Sequence, residues 1–161
     1  MSTTGLVFGK FMPVHAGHLA LIEFARQQCD QLIVSMSYTP DDPIPAAIRL
    51  VWLTELMAPY PSIEVVAEAD DFHDPTLPLW EATKAWAEFI KKRFPTVSVF
   101  FASEEYGLPL AHHSKLRYVP FDPAREKVPV SATLIRQAPA RYVRFIPDIV
   151  YSYFIDPPQA K

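Results

Sequence analysis

Lys10, His15 and His18 sit within one short run, Gly9-Lys10-Phe11-Met12-Pro13-Val14-His15-Ala16-Gly17-His18, and side chains of these types at this spacing can hold phosphate. The run leaves an apolar strand, turns at a glycine and a proline, and sets two histidines around a second glycine where an amphipathic helix begins. N–H groups of a first helical turn lack intrahelical partners and carry the positive end of the helix dipole, which favours anionic oxygens. Gly17 lets backbone approach a ligand, and Lys10, His15 and His18 add donors and charge. With an ordinary pKa of about 6.5, the histidines donate in either protonation state, and neighbouring phosphates favour the charged one. The residues alone leave two other readings of the pair open, helix capping and chelation of a metal. No further motif-like metal ligand accompanies them: His73 falls in an irregular stretch, and His112-His113 read as solvent-facing.

A second run, Val130-Ser131-Ala132-Thr133-Leu134-Ile135-Arg136, combines hydroxyls before a helix with an arginine inside it. Together the two runs resemble the paired signatures of the H-x-G-H nucleotidyltransferases, a Rossmann-like superfamily that joins nucleotides to phosphorylated acceptors. Within it the chain is most similar to the NadR-type nicotinamide-nucleotide adenylyltransferases. That similarity includes Ser103-Glu104-Glu105, Val119-Pro120-Phe121-Asp122-Pro123, Arg141-Tyr142 and Ile146-Pro147. The chain departs from the pattern in Asp70-Pro78, which is rich in proline and acid, and Ala132 stands where a small residue varies.

The resemblance implies transfer of the ATP adenylyl group to nicotinamide mononucleotide, giving NAD and pyrophosphate. It assigns His18 to the ATP α-phosphate, His15 to the same group or its β neighbour, Lys10 to phosphate neutralisation and Arg136 to the β- and γ-phosphates. Gly9, Phe11, Gly17, Ser131 and Thr133 belong to the ATP site, although Ser131-x-Thr133 also reads as a helix cap. For the acceptor it points to Ser103, Glu104, Arg49 and Trp80, with Trp80 stacking on the cationic nicotinamide ring. Core packing for Trp80, with Trp86 facing solvent, and solvated surface for Arg49 are the bland alternatives. Magnesium is expected with ATP, held by phosphate and water, and no protein metal site is expected. Other H-x-G-H transferases, such as a phosphopantetheine adenylyltransferase, and a non-catalytic nucleotide sensor are the rival functions. Lys10, both histidines and Arg136 make a set that a sensor would not need.

The 161 residues, 50% of them hydrophobic, fit one nucleotidyltransferase domain over 1–161. A net charge of −3 supplies no field for nucleic acid, so phosphate must be held by a local basic cluster drawn from Lys10, Arg49, Lys115, Arg117 and Arg136. A lone Cys29 excludes an internal disulfide, and its place in a helix reads as packing. No signal peptide or long apolar run is evident, so a soluble cytoplasmic protein without membrane or nucleic-acid partners, able to form a homo-oligomer, is expected. No G-x-x-x-x-G-K-[ST] loop is present, and 1–3 and 155–161 are short flanks, so the transferase is expected without a fused kinase.

Five strands are predicted at 4–8, 31–38, 63–67, 97–101 and 117–121. Helices are predicted at 17–29, 45–57, 78–94 and 108–113, with a last helical segment from 131. On the helix 45–57, Ile48, Val51, Trp52, Leu56 and Met57 are expected to face the core. Strict alternation implies an α/β, doubly wound, open parallel sheet, with ligands at the carboxyl ends of its strands. Both signatures fall on that edge.

Overall fold

The computed structural model describes residues 2–72 and 74–157, so His73 lies outside the described residues. Apolar runs with β-branched and aromatic side chains form the strands β1 (Thr4–Gly9), β2 (Gln31–Tyr38), β3 (Ile63–Ala69), β4 (Val97–Ala102) and β5 (Arg117–Pro120). Between them run the helices α1 (Ala16–Arg26), α2 (Ala46–Met57), α3 (Leu79–Arg93) and α4 (Gly107–Ser114). The strands pair in the order β3-β2-β1-β4-β5, and every pair is parallel. The doubly wound Rossmann-like sheet expected from alternation is therefore present.

Side-chain alternation gives the sheet two apolar faces, as its helical cover requires. Leu6 and Phe100 point to one cluster with Ala87, Ile90 and Phe94 of the α3 layer and Leu110 of α4. Their neighbours Val7, Val99 and Phe101 join Val34 and Met36 on the other face, against Leu21, Ile22, Trp52 and Leu53 of α1 and α2.

Two expectations need correction. On α2 the buried side chains are Arg49, Trp52, Leu53 and Met57, whereas Val51 is 52% exposed. The inward stripe is rotated towards Arg49 because the guanidinium finds partners beneath the helix. The helical segment after Ser131 is three pieces: α5 (Ala132–Gln137), a 3-10 helix (Pro139–Phe145) and α6 (Asp148–Ile155). Pro139 and Pro147 divide it, since proline lacks the donor that a continuing helix needs and drives the preceding residue out of the helical region. Ala138 and Ile146 accordingly leave it, at φ −151° and −116°. No described helix is long and apolar enough to cross a membrane.

Candidate active site

From β1 the chain continues to β2 and β3 on one side, while β4 and β5 lie on the other. The loops leaving the carboxyl ends of β1 and β4 therefore diverge, and open parallel sheets place their ligand crevice at such a point. A cavity of about 550 Å³ opens there, lined by Gly9 and Lys10 after β1 and by Ser103 and Glu104 after β4. Phe11, His15, Gly17, His18, Thr133 and Arg136 complete the sequence-derived part of its wall. Residues 124 positions apart are joined directly, because the Arg136 guanidinium donates to the Met12 carbonyl and ties α5 to the loop before α1.

The histidines form a reciprocal cap on α1. His15 Nδ1 accepts the Gly17 N–H at 3.0 Å, and His18 Nδ1 accepts the His15 N–H at 3.2 Å. An amide can only donate, so both Nδ1 atoms are unprotonated and both neutral rings carry their proton on Nε2. The rings stack with centroids 3.8 Å apart, and Phe11 closes on His18 at 4.8 Å. Burial, and then the Arg125 charge, push His15 down to about 4. Burial, His15 and Arg125 likewise hold His18 well below its ordinary value. The protein by itself thus favours neutral Nε2–H donors, not the charged form expected beside phosphate.

The cap also revises Gly17. Its N–H is already taken by His15, and a Cβ there would stand 2.8 Å from His15 Cε1. Glycine is needed at 17 for the histidine ring. Capping and phosphate contact are compatible in one pair, because capping uses Nδ1 and leaves Nε2.

Three expected site residues stand elsewhere. Arg49 is fully buried and is neither a cavity residue nor solvated surface. It donates to the carbonyls of Ile44, Lys10 and Ser37 and to the Asp42 carboxylate at 2.6 Å. Ser131 lies outside the cavity, where its hydroxyl accepts the Leu134 N–H at 3.2 Å and caps α5. Trp80 is 46% exposed and rests against His112 and His113, with ring centroids 4.9 and 5.3 Å away. Neither core nor cavity holds it. Six residues on, Trp86 lines the cavity instead, stacked on Phe8 at 5.7 Å and 25°. The helical register decides between them: Thr83, Ala87 and Ile90 mark the buried face of α3, and Trp86 borders that face.

Of the five proposed basic residues, Lys10 and Arg136 line the cavity, and Arg125 joins them. Arg125 had no signal in the sequence. It stands at φ 54° in a loop that begins with Asp122 at φ 46°, whose carboxylate accepts the N–H groups of Glu126, Lys127 and Val128. An Asp that caps its own loop is a readable turn signal, but it does not reveal where the enclosed arginine points. The Arg125 guanidinium meets the Val130 carbonyl at 2.9 Å and Glu104 at 3.4 Å.

Residues 6–138, which contain both signatures, match the family model described as cytidylyltransferase-like. The chain belongs to the cytidylyltransferase-like family. That makes it a nucleotidyltransferase by family. The trifunctional NAD biosynthesis/regulator protein NadR of Escherichia coli K12 is 30% identical to it, the alignment covering 95% of this chain and 41% of NadR. The nicotinamide-nucleotide adenylyltransferase of Pyrococcus abyssi is 26% identical over 83% of this chain and 70% of its own length. A NadR crystal structure in complex with NAD and AMP-PNP shares the fold of this cytidylyltransferase-like chain, with a TM-score of 0.68 at 22% identity, covering 92% of this chain and 46% of that one. The chain spans about two fifths of the length of the NadR relatives it matches.

Proposed function

We propose that the chain is a nicotinamide-nucleotide adenylyltransferase. A phosphate oxygen of nicotinamide mononucleotide bonds to the α-phosphorus of ATP, and the bond from that phosphorus to the bridging oxygen breaks. Pyrophosphate leaves with the electron pair, and NAD remains. The attacking phosphate is an anion near neutral pH, so no side chain has to be deprotonated to make a nucleophile. Catalysis then rests on alignment and on stabilising charge that grows on the transferred phosphate and leaving group. The Nε2–H donors of His15 and His18 suit the charge growing on the transferred phosphate, and Lys10 and Arg136 that on the leaving group.

The observation that carries this reading is the mixed lining of one cavity. The lining combines the stacked histidines, Lys10, Arg125 and Arg136 with an aromatic cluster in which Phe8 meets Trp86 and Tyr106. The basic side chains and histidines fit a polyphosphate and the aromatic cluster fits a flat base, and a cationic pyridinium gains most from an indole face. The name of the nicotinamide-nucleotide adenylyltransferase relatives points to the same acceptor, and that of NadR to NAD biosynthesis. Magnesium would arrive with the substrate as MgATP, held mostly by phosphate and water oxygens.

An acceptor screen tests the proposal. Protein, MgATP and one acceptor at a time are followed by pyrophosphate release, with turnover expected for nicotinamide mononucleotide and background rates for phosphopantetheine. The reverse ranking would move the chain to a sister transferase. Binding of ATP without pyrophosphate release for any acceptor would favour a sensor.

A further inference from the structure

Asp42 has no part in the chemistry described so far, and it stands outside the cavity wall. Its side chain is only 4% exposed and carries two cations: Oδ2 is 2.6 Å from Arg49 Nη2, and Oδ1 is 3.6 Å from Lys10 Nζ. Thr39 fixes the carboxylate in turn, its N–H donating to Oδ2 at 2.8 Å and its hydroxyl to Oδ1 at 3.0 Å. Arg49 returns to the same lysine by another route, donating to the Lys10 carbonyl at 2.7 Å. Lys10 is thus held at both ends, its backbone by Arg49 and its ammonium by Asp42, although its side chain is 49% exposed. We propose that Asp42, braced by Arg49 and Thr39, is a positioning residue that aims the Lys10 ammonium at the ATP phosphates.

A lysine stem is flexible and loses much rotamer freedom when it binds. Holding the ammonium beforehand reduces that loss on ligand binding. A long, half-exposed contact at 3.6 Å suits the role, since the ammonium can turn to phosphate without leaving a desolvated ion pair behind. The buried Arg49 compensates the Asp42 charge permanently. Burial alone would raise the Asp42 pKa, but the Thr39 hydrogen bonds, with Arg49 and Lys10, bring it below the usual carboxylate range, so the brace is charged at neutral pH.

The inference rests on the adenylyltransferase reading for its ligand, but its test needs no acceptor. MgATP is titrated calorimetrically against the parent, Asp42→Asn, Lys10→Ala and the double variant. Removing a negative charge near a polyanion strengthens binding by charge alone, so weakening reports lost position. Asp42→Asn is expected to weaken MgATP about fivefold in the parent and less than about twofold when Lys10 is already alanine. Thr39→Val keeps every charge and frees Oδ1; it is expected to weaken MgATP about twofold, again only with Lys10 present. This milder variant decides the matter if Asp42→Asn does not fold. Tighter binding, or equal weakening in both backgrounds, would overturn the role. Failure of nicotinamide mononucleotide as an acceptor, with Lys10-dependent weakening intact, would reject the acceptor and leave the positioning role standing.

Discussion

The stacked histidines divide their nitrogens between structure and chemistry, and the two uses separate in experiment. His18→Ala removes an Nε2 donor whose value grows as negative charge develops, so kcat is expected to fall by at least about 100-fold with a small change in ATP affinity. Pyrophosphate release under saturating substrates measures it; an unchanged kcat would leave His18 as a cap only. His15 carries the pH consequence. Unfolded, it takes up a proton near its ordinary 6.5; folded, it resists until about 4. The unfolded state therefore binds more protons across that window. Stability present above pH 6.5 is lost as pH falls towards 4, on the order of 3 kcal/mol if the site is intact. His15→Asn, which keeps a capping side chain, should make that acid limb shallower in urea titrations, leaving the share that the likewise depressed His18 supplies. A limb unchanged by the substitution would assign the acid lability to other groups. The two tryptophans give a third test by calorimetry: Trp86→Ala should cost nicotinamide mononucleotide about 0.5–2 kcal/mol, and Trp80→Ala almost nothing.

At the scale of elements, the sequence made the pieces legible and their facing less so. Period and punctuation located the five strands and four of the helices, because apolar alternation and proline boundaries act locally. Signals that depend on distant partners were silent. Arg49 reads as exposed because its type is usually solvated, and only Asp42 with three carbonyls beneath α2 makes its burial possible. Trp80 and Trp86 lie on one helix; the register of Thr83, Ala87 and Ile90 favours Trp86 for the inner face, but that it meets Phe8 depends on a distant strand. Glycine shows the same dependence at Gly107, where a methyl would run into the ring of Tyr118, itself stacked on Phe100 at 5.0 Å. Gly107→Ala is expected to lower stability by about 1–3 kcal/mol through that overpacking. Gly9→Ala is the control, since its methyl meets only Phe11, at 3.8 Å. Urea midpoints that fall equally for both would show that backbone freedom, not the Tyr118 contact, selects glycine at 107.

At the scale of the molecule, the order β3-β2-β1-β4-β5 brings segments from both ends of the chain to one crevice. Neither signature is a site alone: the first supplies the histidines and Lys10, the second supplies Thr133 and Arg136, and the loop after β5 adds Arg125 between them. The measurement that tests the central claim most directly is the stoichiometry of a single reaction containing the protein, MgATP and nicotinamide mononucleotide, with NAD and pyrophosphate quantified together. The expected result is one NAD for each pyrophosphate in the parent, and neither product above background with His18→Ala. ATP consumed without NAD, or NAD formed equally fast by both proteins, would contradict adenylyl transfer at this site.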